Sequence, residues 1–312
     1  MAIRIDPRVD YAFKLMLGNP AHPDVTIHFL NSILRLKFPI ESVAFLNPLL
    51  AKERSADKLV VLDILARDST GRLFNIEMQT RIPLSFPNRL LFYNCKNFSR
   101  QLGEGDGWGE LRPAISICLV DRIMFPHATD MGRWHHSFRL RCDQDNGMVL
   151  TNDFEFHVLE LPKFCPSNDT VGSMSPVEKW LFLFTHAGEM ELGELADLLV
   201  DPPYREAIGV LQMISNSPED LEYYEARLKF LRDEEGKLEA AKIEGREEGE
   251  KLGIEKGEKL GIEKGELIGK VRMLQELLGD VPMTVAELSA QELAALSAVL
   301  DRLQHRLRSR QA

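Results

Sequence analysis

Four cysteines in 312 residues are too few and too scattered to build a covalent or metal framework. Cys95, Cys118, Cys142 and Cys165 contain no pair at C-x2-C spacing, which argues against a structural zinc site. They read as buried thiols in a reducing cytosol. Long apolar runs are also missing. None approaches the ~20 residues a membrane span requires, so no membrane partner is expected. The opening MAIRIDPRVD has early acids and no apolar stretch, unlike a secretory signal, and the expected location is cytoplasmic. An excess of basic residues is lacking as well. Net charge is −10, a poor electrostatic footprint for nucleic acid. The distribution is less adverse: residues 1–125 carry 16 Lys and Arg against 13 Asp and Glu, a net of +3, and the remainder carries −13. That balance permits phosphate contact without demanding it. The histidines offer no metal clamp. His135 and His136 point to opposite sides of a strand, while His28, His157 and His186 stand alone.

At 44% hydrophobic, the chain can bury a sizeable core and has room for two domains. Asp6-Pro7 is expected to open a first helix, with Val9, Phe13, Met16 and Leu17 on one face and Gly18-Asn19-Pro20 as its stop. A second helix follows from about Pro23 to Leu36, then a strand near Val43 to Phe45 and a polar linker from Lys52 to Lys58. A longer helix starts at Pro87 and runs to about Leu102. Ile115 to Val120 is a nearly continuous apolar run, as in a strand covered on both faces. SFRLRCD, GMVLT and FEFHVLEL read as further strands, and residues 173–233 as helices broken at Asp201-Pro202-Pro203.

The residues that carry chemistry lie in LVVLDILARDSTGRLFNIEMQT, which reads as two strands around a turn at Asp68-Ser69-Thr70-Gly71. Two carboxylates, Asp63 and Glu77, interrupt otherwise apolar strands. A charge there is costly unless it is paired or binds a metal. Glu77 and Gln79 share one strand face, and antiparallel pairing about the turn brings Asp63 near Glu77. A plainer reading of the same residues makes Asp63 a strand-end acid and pairs Glu77 with Arg72, Arg81 or Lys58.

Four stretches together carry a family resemblance: DPRVDYAFKLMLGNPAHPDVTIHFLNSIL, the hairpin with its Asp-x13-Glu-x-Gln spacing, PNRLLFYNCKNFSRQLGEGDGWGELRPAISICLVD, and the Gly-Glu-Lys-rich tail. They resemble the PD-(D/E)XK nuclease superfamily, and within it the Rpn-type recombination-promoting nucleases, a group also labelled transposases. The resemblance implies an α/β fold: a restriction-endonuclease-like core with a mixed central sheet flanked by helices, followed by a helical C-terminal region. It implies a Mg²⁺-dependent DNA endonuclease, with Mn²⁺ as a substitute, linked to recombination or mobile elements. Asp63, Glu77 and the Met78 backbone carbonyl would hold the metal. The wider fold places a Lys two residues after the second acid, where this chain has Gln79. Gln79 can position a water but brings no charge, and Lys14 on the first helix is the candidate for the missing role. Asp10 is either an outer ligand or an acid favoured by the helix N-terminus. Arg89 and Tyr93, one turn apart, are candidates for contact with DNA phosphate.

The tail is a repeat in which glycine recurs every fourth residue from Gly245 to Gly269, and GIEKGEKL and GIEKGELI are near copies. Seven glycines would cost a helix ~1 kcal/mol each relative to Ala, so a charged linker is one reading. The favoured one is a helix that self-associates, its glycine ridge winding ~40° per step around the axis. Thr284-Val285-Ala286-Glu287 is a capping box that opens a last helix to about Arg308. The expected organisation is 1–165 nuclease-like, 166–235 helical, 236–275 the repeat and 276–312 the C-terminal helix. The competing function is a catalytically inactive nuclease fold that serves as an interaction protein and assembles through this tail.

Overall fold

The structure is a computed structural model that describes residues 4–46, 49–50, 60–61, 63–127 and 132–311. The polar segment Lys52 to Lys58 and Leu59 lie outside the described residues. Contacts divide the chain into two compact units, 1–230 and 231–312.

The first unit is built on a mixed six-stranded sheet. Its strands are β1 (Val43–Leu46), β4 (Ile64–Asp68), β5 (Leu73–Gln79), β6 (Ala114–Val120), β7 (His135–Arg141) and β8 (Val149–Glu160), in the order β1-β4-β5-β6-β8-β7. Two short strands, β2 (Leu49–Leu50) and β3 (Val60–Val61), form a separate antiparallel pair. The β4–β5 hairpin is antiparallel, whereas β5–β6 and β6–β8 are parallel. The apolar run expected as one strand is therefore split, β3 ending before a bend at Asp63 and β4 starting after it. The backbone N–H of Asp63 is directed to the Glu77 side chain, which diverts it from a strand ladder.

Turn chemistry fixes the hairpin register. The buried Asp68 carboxylate accepts from the backbone N–H of Thr70 and Arg72 and pairs with the Arg72 guanidinium. Gly71 has φ +88°, a conformation that disfavours a side chain, and a Cβ there would meet the Arg112 side chain at 2.9 Å. The resulting register places Ile64 opposite Ile76, so Asp63 stands across from Glu77.

Helices cover the sheet on both faces. α1 (Asp10–Leu17) and α2 (Pro23–Leu34) pack with α4 (Pro176–His186) and α6 (Pro202–Asn216), while α5 (Leu192–Leu198) packs on α6. Phe13, Phe29, Trp180 and Phe184 are fully buried and touch ring to ring in this layer. The other face carries α3 (Phe86–Ser99), held by Asn94, which donates to the Ala114 carbonyl and accepts from Ser116. Strand alternation gives Ile64 and Ile76 to the α1 side and Leu65, Asn75 and Glu77 to the α3 side. Tyr93 of α3 packs against Leu65.

Three sequence expectations need correction. α1 starts at Asp10 with Val9 as its N-cap, because the Asp6 carboxylate is bound by the Arg8 backbone and guanidinium, which holds a turn ahead of the helix. The segments GMVLT and FEFHVLEL belong to one strand, β8, which bends through a register irregularity against β7. His157 is not isolated: it lies 2.8 Å from His135 and 3.0 Å from Glu155, nitrogen to nitrogen and nitrogen to carboxylate. His135 and His136 do point to opposite sides, His136 reaching the fully buried Glu160.

α7 (Pro218–Leu278) is continuous through the glycine repeat. A Cβ at any of Gly245, Gly249, Gly253, Gly257, Gly261, Gly265 or Gly269 would meet nothing within 4 Å. In the second unit, Ile268, Val271, Leu274 and Leu278 of α7 form an apolar core with Leu288 of α8 (Val285–Ser289) and Leu296, Leu300 and Leu303 of α9 (Leu293–Gln311). The Thr284–Glu287 capping box forms as expected, but it opens only α8. The single expected helix is interrupted before α9.

Candidate active site

The hairpin register brings the two acids together at the open end of β4 and β5. Glu77 Oε1 accepts from the backbone N–H of Asp63 at 3.4 Å, and Asp63 Oδ2 accepts from the backbone N–H of Met78 at 3.1 Å. The Asp63 carboxylate is thus held by β5, and the Glu77 carboxylate by the bend that precedes β4. Glu77 is buried, 4% exposed, while Asp63 faces partly outward. Burial first, and then the neighbouring Asp63 charge, push the Glu77 carboxyl up to about 8 from its ordinary value of 4.5. Two close carboxyl groups in this setting hold a proton between pH 5 and 7 unless a cation takes its place.

Of the partners considered for Glu77, Arg72 is taken by Asp68. Lys58 lies outside the described residues. The Glu77 side chain instead meets the amide of Gln79, which donates through Nε2 to Oε2 at 3.1 Å. Gln79 Oε1 accepts a short hydrogen bond from Arg89 of α3. The Arg89 guanidinium lies over Phe86 at 5.2 Å and Tyr93 at 6.0 Å, and its Nε is buried without a partner. Burial raises the Tyr93 phenol, with Glu77 and Asp63 adding to the shift and Arg89 opposing it. All seven expected residues, Lys14, Asp63, Glu77, Met78, Gln79, Arg89 and Tyr93, therefore lie in one neighbourhood.

Lys14 reaches Asp63 from α1, its Nζ 3.3 Å from Oδ1 and 4.0 Å from Asp10 Oδ2. Asp10 sits in the first turn of α1 and is gripped by Arg227, near the start of α7, through two hydrogen bonds. No sequence pattern pointed to Arg227, which lies 217 residues from Asp10. Sequence reasoning also missed two buried groups beside Glu77. The Asn75 carboxamide is fully buried and meets no partner with hydrogen-bond geometry among the described residues, yet stands near enough to favour the ionised form of Glu77. Cys118, opposite Glu77 on β6, is fully buried, and its thiol is pushed well up by burial and then by the two acids. Strand alternation around Glu77 was the available clue for Asn75.

The donor set suits a hard divalent cation. It offers carboxylate oxygens from β5 and from the bend before β4, the Glu77 group desolvated and, among the described residues, short of positive charge. No group of three or more His, Cys, Asp or Glu side chains arranged to hold a metal occurs among the described residues, so two carboxylates are what the side chains supply.

A mixed sheet with an antiparallel hairpin leading into parallel strands, helices on both faces and this acid pair at the hairpin's open end defines the PD-(D/E)XK restriction-endonuclease-like class. The chain belongs to the PD-(D/E)XK nuclease family transposases, whose family profile matches residues 7–241. Comparisons with curated proteins and with solved structures gave no match. No helix among the described residues is long and apolar enough to cross a membrane.

Proposed function

We propose that the chain is a Mg²⁺-dependent DNA endonuclease, with Mn²⁺ able to substitute, acting in recombination or on mobile elements. The observation that carries this reading is the buried Glu77 carboxyl opposite Asp63, a pair whose charge is incompletely balanced among the described residues. Asp63 and Glu77 would hold the cation, with the Met78 carbonyl as a third oxygen. The bound metal would supply charge neutralisation at the phosphate and a water of lowered pKa. The protein's own residues orient the site. Lys14 steadies Asp63, Gln79 fixes the Glu77 carboxylate, and Arg89 and Tyr93 present a cation and a phenol to DNA from α3. Residues 1–165 would form the catalytic domain, 166–235 its helical extension, 236–275 the repeat and 276–312 the C-terminal helical segment.

One observation favours a second reading, an inactive nuclease fold that serves as an interaction protein. The repeat helix displays glycines and exposed Leu252, Ile254, Leu260 and Ile262, with nothing among the described residues packed against its ridge. In either reading we propose that this helix self-associates. Residues two apart on a helix lie ~200° around the axis. Leu252 and Ile254 therefore face opposite ways, and a partner must wrap the helix rather than lie along one stripe.

Plasmid nicking in Mg²⁺ and Mn²⁺ tests the main reading. Wild type is expected to nick, and Asp63→Ala and Glu77→Ala to lose nicking. Equal inertness of all three proteins supports the interaction reading, and equal activity places the chemistry elsewhere.

A further inference from the structure

Resting on the nuclease reading, we infer that Arg89 delivers positive charge to the scissile phosphate and that Gln79 is the positioning residue that mounts it there. Hydrolysis of a phosphodiester joins a water oxygen to phosphorus as one P–O ester bond breaks. The attacking water loses a proton and the departing oxygen takes one up. Negative charge gathers meanwhile on the phosphoryl oxygens, and donors aimed at those oxygens speed the reaction.

Two cations near the acid pair are placed differently. Lys14 is committed to carboxylates, 3.3 Å from Asp63 and 4.0 Å from Asp10. Among the described residues, Arg89 has no carboxylate partner in hydrogen-bond contact. One of its terminal nitrogens is anchored on the neutral Gln79 amide, its guanidinium carbon lies over the Phe86 and Tyr93 rings, and Nε is buried with no hydrogen-bond partner among the described residues. A buried unpaired donor is destabilising, so a site that keeps one is poised to gain from an acceptor. Guanidinium presents several coplanar N–H groups, a fork that fits two oxygens of one phosphate.

Gln79 explains the aim. Its amide is used at both ends, Nε2 on Glu77 and Oε1 on Arg89, so it links the metal-facing acid to the cation. It is therefore a spacer of fixed length and polarity rather than a free amide for holding a water. Turning the carboxamide round would set Gln79 Nε2 against Arg89, donor to donor, which fixes the order Glu77–Gln79–Arg89.

The test relocates the charge. Arg89→Met is expected to slow single-turnover cleavage at saturating DNA by about 100-fold or more, the scale for losing one donor to transition-state charge. DNA affinity measured by anisotropy in Ca²⁺ should change less than about threefold, since one phosphate contact among many is lost. Gln79→Lys in the Arg89→Met background, which restores a cation two residues after Glu77, is expected to recover at least about tenfold of the rate. Circular dichroism and melting confirm that each variant is folded. The inference is overturned if Arg89→Met cleaves at the wild-type rate, if its rate falls only in proportion to DNA affinity, or if a folded double variant recovers nothing.

A second readout does not need turnover. In protein labelled with ¹⁵N-arginine, the Nε–H resonance lost in Arg89→Lys should shift on titration of wild type with the dinucleotide dTpT in Ca²⁺. Gln79→Ala should weaken that shift. A shift in a protein that cleaves nothing would retain the placement of Arg89 and remove the nuclease reading. No shift at saturating dinucleotide would remove the placement itself.

Discussion

Glu77→Gln should stabilise the metal-free protein while abolishing its activity, and the gain should depend on pH. At pH 7 the folded Glu77 carboxyl, pushed up to about 8, is mostly protonated, whereas in the unfolded chain it ionises near 4.5. Ionisation therefore favours the unfolded state, and the sign follows from proton counting. Between about 4.5 and 8 the folded state binds the extra proton, so stability falls as pH rises through that window. The loss begins above the unfolded value and is complete near the folded one. With 1.36 kcal/mol per pH unit it reaches about 3 kcal/mol at pH 7 and under ~1 kcal/mol at pH 5. Glutamine has the shape of a protonated glutamate and nothing to ionise, so the substitution removes the term in both states.

The measurement is thermal unfolding of both proteins in EDTA at pH 5 and pH 7. A gap of about 3 kcal/mol corresponds to roughly 6–12 °C for a unit of this size, shrinking to a few degrees at pH 5. Comparing the two pH values cancels any packing mismatch of the amide, which would shift both melts alike. A melting difference that is the same at pH 5 and pH 7, whatever its sign, refutes the argument that Glu77 is held protonated by burial beside Asp63. Saturating Mn²⁺ should reverse the order, since only the wild type has both carboxylates to gain from a cation.

Metal binding should release close to one proton at pH 7 and almost none at pH 9, because the raised Glu77 carboxyl must ionise to become a ligand. Calorimetric titration of Mn²⁺ in buffers of different ionisation enthalpy measures this, and equal release at both pH values would contradict it. In the repeat, Gly257→Ala with Gly261→Ala should raise helix content, each by up to about 1 kcal/mol, since a Cβ meets nothing within one chain. If two copies approach along the ridge, the same pair should shift the mass seen by light scattering toward the monomer, and an unchanged assembly would rule out the ridge as the contact. Arg227→Ala should leave the fold intact but lower the melting temperature by only a few degrees, because its pair with Asp10 is half exposed. A change in metal affinity beyond about threefold would show instead that Asp10 reaches the metal.

The hairpin was the most legible part of the chain because its signals are local. Asp68 and Gly71 dictate a turn, alternation dictates the faces, and the register that places Asp63 opposite Glu77 follows from those two facts. The α1 stripe was equally plain, since Val9, Phe13, Met16 and Leu17 are all buried. Its start was not, because Asp6 has a cap's chemistry but spends its carboxylate on Arg8. Capping potential is visible in a sequence, and competition for the cap is not. The same limit hid the histidine contacts. His135 and His157 meet only because β7 pairs antiparallel with β8, a register no short-range pattern encodes. Arg89 was visible as a basic residue on a helix face. Its hydrogen bond to Gln79 depends on how α3 lies across β5 and had to come from the structure.

The balance of charge at the site explains why Glu77, rather than Asp63, is its controlling group. Asp63 has Lys14 beside it, and Asp10 has Arg227. Among the described residues, Glu77 meets a backbone N–H and the neutral amide of Gln79, with the Asn75 carboxamide close by, while the Arg89 guanidinium is held on the far end of that amide. A protein selected for stability alone would bring Arg89 directly onto Glu77, because an unpaired buried carboxyl is a standing penalty. Inserting an amide between them leaves the carboxyl short of positive charge and leaves the guanidinium free to face a second anion. Both deficits are relieved at once by a cation on the acids and a phosphate on Arg89. Metal and substrate should therefore bind with positive coupling, each tightening the other. Calorimetry of Ca²⁺ with and without dTpT measures that coupling, and independent binding of the two would show that the Gln79 spacer connects nothing.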